Sequence, residues 1–142
     1  MTYKVPLLIA AIFFFVATDV ARSQDLHPSR RPSPIGIAST HFGDTYIKVT
    51  YGRPYMRGRQ IFGTNTDSTT FLTPYNEVWR TGANEATEIT TTGPLRIAGH
   101  DLDAGTYSIF TVPGPTQWTV HFSPYLGLDG TGIFDAETQI FT

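Results

Sequence analysis

The sequence contains no cysteine, and this absence removes two structural options at once. Disulfide bonds cannot form, although they would be available to an exported chain, and a lipid anchor on an acylated cysteine is excluded. A folded domain of this chain must therefore be stabilised by its hydrophobic core alone.

Charged residues are also scarce, at 15% of the chain, and they nearly cancel to a formal net charge of −2. A balance so close to neutral argues against a surface for nucleic acid, so we expect no nucleic-acid partner. Long apolar runs are missing after the first 16 residues, and no later segment is apolar enough to span a bilayer.

The first residues have the order of a secretory signal. Lys4 precedes the apolar run VPLLIAAIFFFV, and Ala21 and Ser23 occupy the small positions of a cleavage site. The run is shorter than the roughly 20 residues of a spanning helix, although a retained membrane anchor remains the alternative. We therefore predict a cleaved signal peptide at 1–23, export to the periplasm or the cell exterior, and no membrane span after cleavage.

Residues 24–34, QDLHPSRRPSP, are rich in proline and have little to bury, which predicts an extended leader. Beyond this leader, 35–142 has the length and pattern of one domain. The chain stops at DAETQIFT, with Ile140 and Phe141 apolar. This ending suggests that C-terminal strands are missing, and a short strand at a sheet edge is the alternative.

Alternation of side chains along the chain predicts an all-β fold. In TYIKVTY (45–51) every second residue is β-branched or aromatic, and Gly43-Asp44 joins this strand to IGIASTHF in a hairpin. Strands are also predicted at 86–92, 95–97, 106–112 and 118–122, with turns on both sides of Leu102 and no long helix. Spacing of roughly ten residues favours a single-domain antiparallel β-sandwich or barrel-like sheet.

Two segments interrupt this regular pattern. RPYMRGRQIFG (53–63) and FLTPYNEVWRTGANE (71–85) are long connections that contain four of the eight arginines. Together with the string LDAGTYSIFTVPG followed by QWTV, they resemble the exported bacterial family known as domain of unknown function 2911, from Ile35 to at least Phe122. The resemblance implies an exported β-rich domain; it implies no established reaction, so no catalytic residue follows from it.

The candidate binding residues all lie on these two connections. Guanidinium groups suit a carboxylate or phosphate, and a neighbouring tryptophan provides a stacking face for a ring. In the structural alternative, Arg80 pairs with Glu85, Asn84 satisfies turn backbone, Trp79 fills the core and Gly82 supplies a special backbone angle. The candidates are Arg53, Arg57, Arg59, Trp79, Arg80, Asn84 and Glu85.

Three functions remain open on this basis. The first is a noncatalytic module that binds an unknown small molecule or envelope component. The second is an envelope enzyme that acts on a sugar or anionic metabolite, with Glu85 as acid or base and Arg80 holding the negative group. The third is a structural role in the envelope.

No motif for a cofactor, metal or catalytic triad accompanies these candidates. The histidines His27, His41, His100 and His121 show no metal-ligand spacing, and no nucleophile elbow is present. The glycines of RGRQIFG and RTGAN lack the strand and helix that a phosphate-binding loop requires. We therefore expect no metal and no cofactor. If the protein is an enzyme, the sequence does not identify its catalytic residues.

Overall fold

The computed structural model describes residues 31–127, 129–132 and 134–138. The predicted signal peptide and most of the predicted leader lie outside the described residues. In the described part, a short 3-10 helix covers Ala136–Thr138, and no helix is long and apolar enough to cross a membrane. The strands are β1 (Ile35–Phe42), β2 (Thr45–Gly52), β3 (Phe62–Gly63), β4 (Thr73–Pro74), β5 (Thr87–Thr91), β6 (Leu95–Ile97), β7 (His100–Leu102), β8 (Gly105–Pro113) and β9 (Trp118–Ser123).

A five-stranded antiparallel sheet in the order β1-β2-β5-β8-β9 forms the framework. The predicted hairpin is confirmed, since Phe42 pairs with Thr45 across the turn at Gly43 and Asp44. The sheet is open, with β1 and β9 as its edges in the described part of the chain. The all-β antiparallel class is therefore confirmed, and the sheet does not close into a barrel.

The two faces of the sheet bury different apolar clusters. On one face Ile89 and Phe122 pack with Leu102 of the β6–β7 hairpin, and Leu102 is fully buried. On the other face Ala86 and Phe110 pack with Phe134. Residues of one strand alternate between the faces, so the clean period of two in the sequence translates directly into these two clusters.

The segment around Leu102 differs from the prediction. His100–Leu102 is not a turn region but the strand β7, which pairs antiparallel with β6 in a small separate sheet. The true turn between them is Ala98-Gly99, where both residues have positive φ. A strand of three residues is too short to show alternation, and two of its members are polar.

Candidate functional site

The two irregular connections meet at one end of the main sheet. Strands β3 and β4 pair in parallel, with Phe62 opposite Thr73. The amide of Thr73 donates to the carbonyl oxygen of Ile61 at 2.8 Å, and that of Tyr75 to Gly63 at 2.7 Å. Segments that are separate in the sequence therefore form one wall.

Trp79 connects this wall to β8 through backbone hydrogen bonds. Trp79 and Thr111 exchange both backbone hydrogen bonds, at 2.7 and 2.8 Å. The indole N–H of Trp79 donates to the carbonyl oxygen of Gly82 at 3.1 Å, which fixes the ring. The ring meets Phe62 and Trp118 edge to face, with centroid separations of 5.6 and 6.1 Å. Trp79 thus has the packing role of the structural alternative and also faces the cavity described below.

The loop after Trp79 passes so close to β2 that position 52 has no room for a side chain. A β-carbon on Gly52 would overlap the carbonyl oxygen of Ala83, and one on Gly82 would lie 3.4 Å from the backbone of Gly52. Positive φ angles occur at Thr81 (59°) and Asn84 (65°) and not at Gly82, so the expected special angle lies on its neighbours. The φ angle of Gly82 does not require glycine, and a β-carbon there would make one tight contact, 3.2 Å from Oγ1 of Thr87.

Above this loop lies an open cavity of about 500 Å³. Its lining is mainly apolar and aromatic, and it contains two arginines but no acidic residue. Such a surface suits a ligand with an apolar body and a negative charge. The lining consists of Ser33, Pro54, Tyr55, Met56, Arg59, Ile61, Phe62, Leu72, Thr73, Trp79, Arg80, Gly82, Ala83 and Asn84.

The two arginines that line the cavity differ in their hydrogen bonds. Arg59 donates from Nε to the carbonyl oxygen of Met56 at 3.1 Å and from Nη2 to that of Tyr55 at 2.7 Å. The Nε of Arg80 is buried and has no hydrogen-bond partner among the described residues. A buried donor without a partner is costly, and Arg80 carries this donor beside the cavity.

Asn84 and Glu85 are adjacent in sequence but face different places. Asn84 lines the cavity and donates from Nδ2 to the carbonyl oxygen of Ser33 at 3.2 Å. Glu85 lines a second cavity, of about 230 Å³, together with Glu88. Its carboxylate accepts a hydrogen bond from Arg31 and not from Arg80, so the expected Arg80–Glu85 pair is not formed.

The electrostatic surroundings of Glu85 keep it ionised. The hydrogen bond from Arg31 lowers the pKa of the Glu85 carboxyl below its ordinary value of 4.5, and a backbone hydrogen bond adds to the effect. The charge of Arg80 lowers the same pKa, so the two residues are close enough to interact without sharing a cavity. A carboxyl of this kind is not poised as a general acid near neutral pH.

Arg53 and Arg57 lie outside the cavity. Both are exposed, and Arg57 occupies a tight turn with φ of 50°, followed by Gly58 with φ of 72°. Four of the seven candidates therefore meet at the cavity, namely Arg59, Trp79, Arg80 and Asn84. Their role in binding stays a prediction.

Sequence reasoning missed much of the apolar lining. Phe62 and Thr73 reach the cavity through the β3–β4 pairing, which involves only two residues on each strand. Leu72 and Met56 are exposed apolar residues on the same rim. The sequence signal that could have identified this lining is the presence of apolar residues on irregular segments. Separately, the part of the chain that the structure describes contains no cluster of three potential metal ligands.

Comparison with known proteins connects this arrangement to one family. The family model described as "Protein of unknown function (DUF2911)" matches residues 33–141, so the chain belongs to that family and the resemblance seen in the sequence is confirmed. No curated protein matches the chain, and no solved structure does.

Proposed function

We propose that this chain, as a member of the DUF2911 family, is an exported binding protein for a small organic monocarboxylate with a flat apolar body. The observation that carries the proposal is Arg80, a cation with a buried, unpartnered Nε, in the wall of a mainly apolar cavity that has no acidic side chain. A carboxylate in the cavity would accept charge-assisted hydrogen bonds from the guanidinium of Arg80.

The size and lining of the cavity support a small organic molecule. Its volume of about 500 Å³ lies within the roughly 300–1,000 Å³ of ligand pockets. Trp79 and Phe62 offer aromatic surface to the body of the ligand. Asn84 and Thr73 add polar groups at the wall, which can orient the ligand.

A single negative charge fits better than a phosphate dianion. Arg59 already donates two hydrogen bonds to backbone carbonyls, so much of its capacity is in use. Arg80 is then the main cation for the ligand, and one guanidinium matches one carboxylate in a bidentate pair. The absence of acidic side chains from the lining removes a source of repulsion.

Export is part of the proposal and rests on the sequence. The charged, apolar and small-residue order of residues 1–23 supports a cleaved signal, and the balanced charge fits a protein that meets small molecules and not nucleic acid. Expression in a bacterial host with the native N-terminus, followed by N-terminal sequencing of the secreted product, tests it. A start near Gln24 is expected, and a product that keeps residues 1–23 would contradict it.

Calorimetric titration tests the ligand class. Benzoate, naphthoate and cyclohexanecarboxylate serve as probes, and the corresponding amides serve as neutral analogues of the same shape. We expect binding of one or more of the acids and weaker binding of its amide. Equal affinity for acid and amide would contradict a role for the cation.

The matched variants are Arg80→Met and Arg96→Met. Arg80→Met should weaken binding by about 10-fold to 100-fold, because a charge-assisted hydrogen bond contributes roughly 1.5–3 kcal/mol. Its melting temperature should fall little, since the buried Nε has no hydrogen-bond partner to lose and only the attraction to Glu85 disappears. Arg96 is exposed on β6 and does not line the cavity, so its loss should leave affinity unchanged. An Arg80→Met protein with full affinity would refute the proposal.

The enzyme alternative has less support from the geometry. It requires Glu85 and Arg80 to act on one substrate, whereas Glu85 lines the smaller cavity with a lowered pKa. The carboxylate is also engaged by Arg31, and its side chain is 44% exposed. No observation in the described residues favours a purely structural role over binding.

A further inference from the structure

Within the part of the chain that the structure describes, the edge strand β1 has none of the usual protection against pairing. All eight of its residues pair with β2 in unbroken register, so no bulge interrupts it. Its sequence, IGIASTHF, contains no proline and no lysine, arginine, aspartate or glutamate. Natural proteins blunt open edges with those features, and a long regular edge without them is a template for another strand.

The hydrogen-bonding groups that face outward can be identified. Tyr46 uses its backbone N–H and C=O towards Thr92, on the β5 side of β2. Thr45, Ile47, Val49 and Tyr51 therefore face β1, since the direction alternates along a strand. Their partners on β1 point inward, so the backbone groups of Ile35, Ile37, Ser39 and His41 face outward. Among these groups, the carbonyl oxygen of His41 also accepts a hydrogen bond from Thr40 Oγ1 at 3.4 Å.

We propose that a second copy of this chain pairs with β1 through its own β1, antiparallel and centred on Ser39. In this two-fold arrangement, the same face of each sheet lies on the same side of the dimer only if opposed residues are both odd-numbered or both even-numbered. Centring on Ser39 meets that condition and places Ser39 opposite itself, Ile37 opposite His41, and Gly36 opposite Phe42. The backbone groups that then face each other are the outward-facing ones.

Side-chain complementarity supports this register. Phe42 is 75% exposed, and in this register its ring would pack beside the Tyr51 and Arg53 side chains that cover Gly36 of the other copy. Ile37 is 66% exposed and would be covered beside the partner's His41. The most exposed apolar residues of the strand therefore gain neighbours in the dimer.

Charge complementarity supports the same partner. The backbone amide of Arg53 donates a hydrogen bond to the carbonyl oxygen of Pro34. The side chain of Arg53 lies over Gly36, at the start of β1. Asp44 follows the other end of β1. Antiparallel pairing brings Asp44 of one copy to the Arg53 end of the other, twice by symmetry, so each end of the interface carries an opposite pair. Arg53, which does not line the cavity, thus acquires a role.

The pairing uses the β1 edge of both sheets, so the assembly stops at a dimer on that side. A two-fold interface uses the same surface on both copies, so no further copy can add at β1. The result is a continuous ten-stranded sheet made from two five-stranded sheets. This inference does not depend on the cavity or its ligand.

Sedimentation of the purified protein over a range of concentrations tests the dimer, with Ser39→Pro and Ser39→Thr as the matched pair. Proline at 39 removes an outward-facing N–H and leaves the hydrogen bonds to β2 intact. We expect a concentration-dependent dimer whose dissociation constant rises about tenfold or more in Ser39→Pro. Ser39→Thr keeps the N–H and should dimerise as before.

A cross-linking experiment tests the register, because the chain offers a cysteine-free background. Opposed Ser39 residues would have their Cα atoms about 5.5 Å apart, which is within disulfide range. Ser39→Cys should therefore form a covalent dimer under mild oxidation. Thr116→Cys, exposed in the turn between β8 and β9, should not.

Three results would overturn the proposal. The first is a monomer at every concentration, which leaves the edge to a different partner. The second is a dimer that survives Ser39→Pro with unchanged affinity, which places the interface elsewhere. The third is equal cross-linking of Ser39→Cys and Thr116→Cys, which indicates random collision.

Discussion

Replacing Gly52 by alanine probes the contact on which the cavity wall depends. Gly52 ends β2, and its φ is not in the positive range, so alanine meets no conformational strain there. The added methyl group would nevertheless overlap the Ala83 carbonyl oxygen and lie 3.0 Å from the Ala83 carbonyl carbon and amide nitrogen. These are backbone atoms and cannot rotate away as a side chain would.

Two opposing terms set the size of the effect. Alanine in place of glycine stabilises by about 0.4–1 kcal/mol through the unfolded chain. Overpacking costs typically about 1–3 kcal/mol, and the upper end applies because a backbone segment must shift. The net result is a loss of about 2 kcal/mol in the free energy of unfolding, or roughly 10 °C in melting temperature.

Urea denaturation and thermal melting measure this loss, with Gly132→Ala as the control. Gly132 has open space around its α-carbon and no positive φ, so alanine there should leave stability unchanged or slightly raised. Gly52→Ala should also weaken ligand binding, because Ala83 lines the cavity. A Gly52→Ala protein as stable as Gly132→Ala would refute the close approach of the two segments.

Two further predictions concern stability. Phe110→Ala should lower the free energy of unfolding by about 3–5 kcal/mol in urea titration, because the ring is 0% exposed; an effect below 1 kcal/mol would contradict its place in the core. Acidification should destabilise the protein in two stages, measured by denaturation between pH 7 and 3. Burial lowers the pKa of His121 below 6.5, so the unfolded state takes up this proton first and stability falls as the pH drops below 6.5. The Glu85 pKa is lowered from 4.5 chiefly by the Arg31 hydrogen bond, so a second loss begins below pH 4.5. His121→Phe should remove the first stage alone, and an unchanged profile would count against this assignment.

The regular part of the fold was predictable because its strands are long enough to alternate. The alternation predicts that Ile47 and Val49 share one face of their strand, and both side chains pack against the core. The hairpin at Gly43 was also visible, because a two-residue turn joins two such strands. β7 was missed because His100 and Asp101 are polar and leave no apolar alternation, whereas the equally short β6 has an apolar residue on each side of Arg96.

The candidate site was only partly predictable, because its contacts connect distant positions. Glu85 pairs with Arg31 from 54 residues away, and no local pattern distinguishes that partner from Arg80. The composition of the two connections pointed to the right region of the molecule. Their mutual arrangement depends on the short β3–β4 pairing, which leaves no trace in the sequence.

The course of the chain between β2 and β5 has a consequence for how this protein can vary. These strands are direct neighbours, with Thr50 opposite Glu88, so residues 53–86 leave the sheet and return to an adjacent position. Nearly all the cavity lining belongs to this excursion. Loop length changes the closure entropy only slowly, so the excursion can be lengthened, shortened or exchanged while the strands stay paired. We therefore expect that exchanging the cavity-lining part of this excursion between relatives, with Trp79 and its hydrogen bonds to Thr111 kept, changes the ligand preference that we propose.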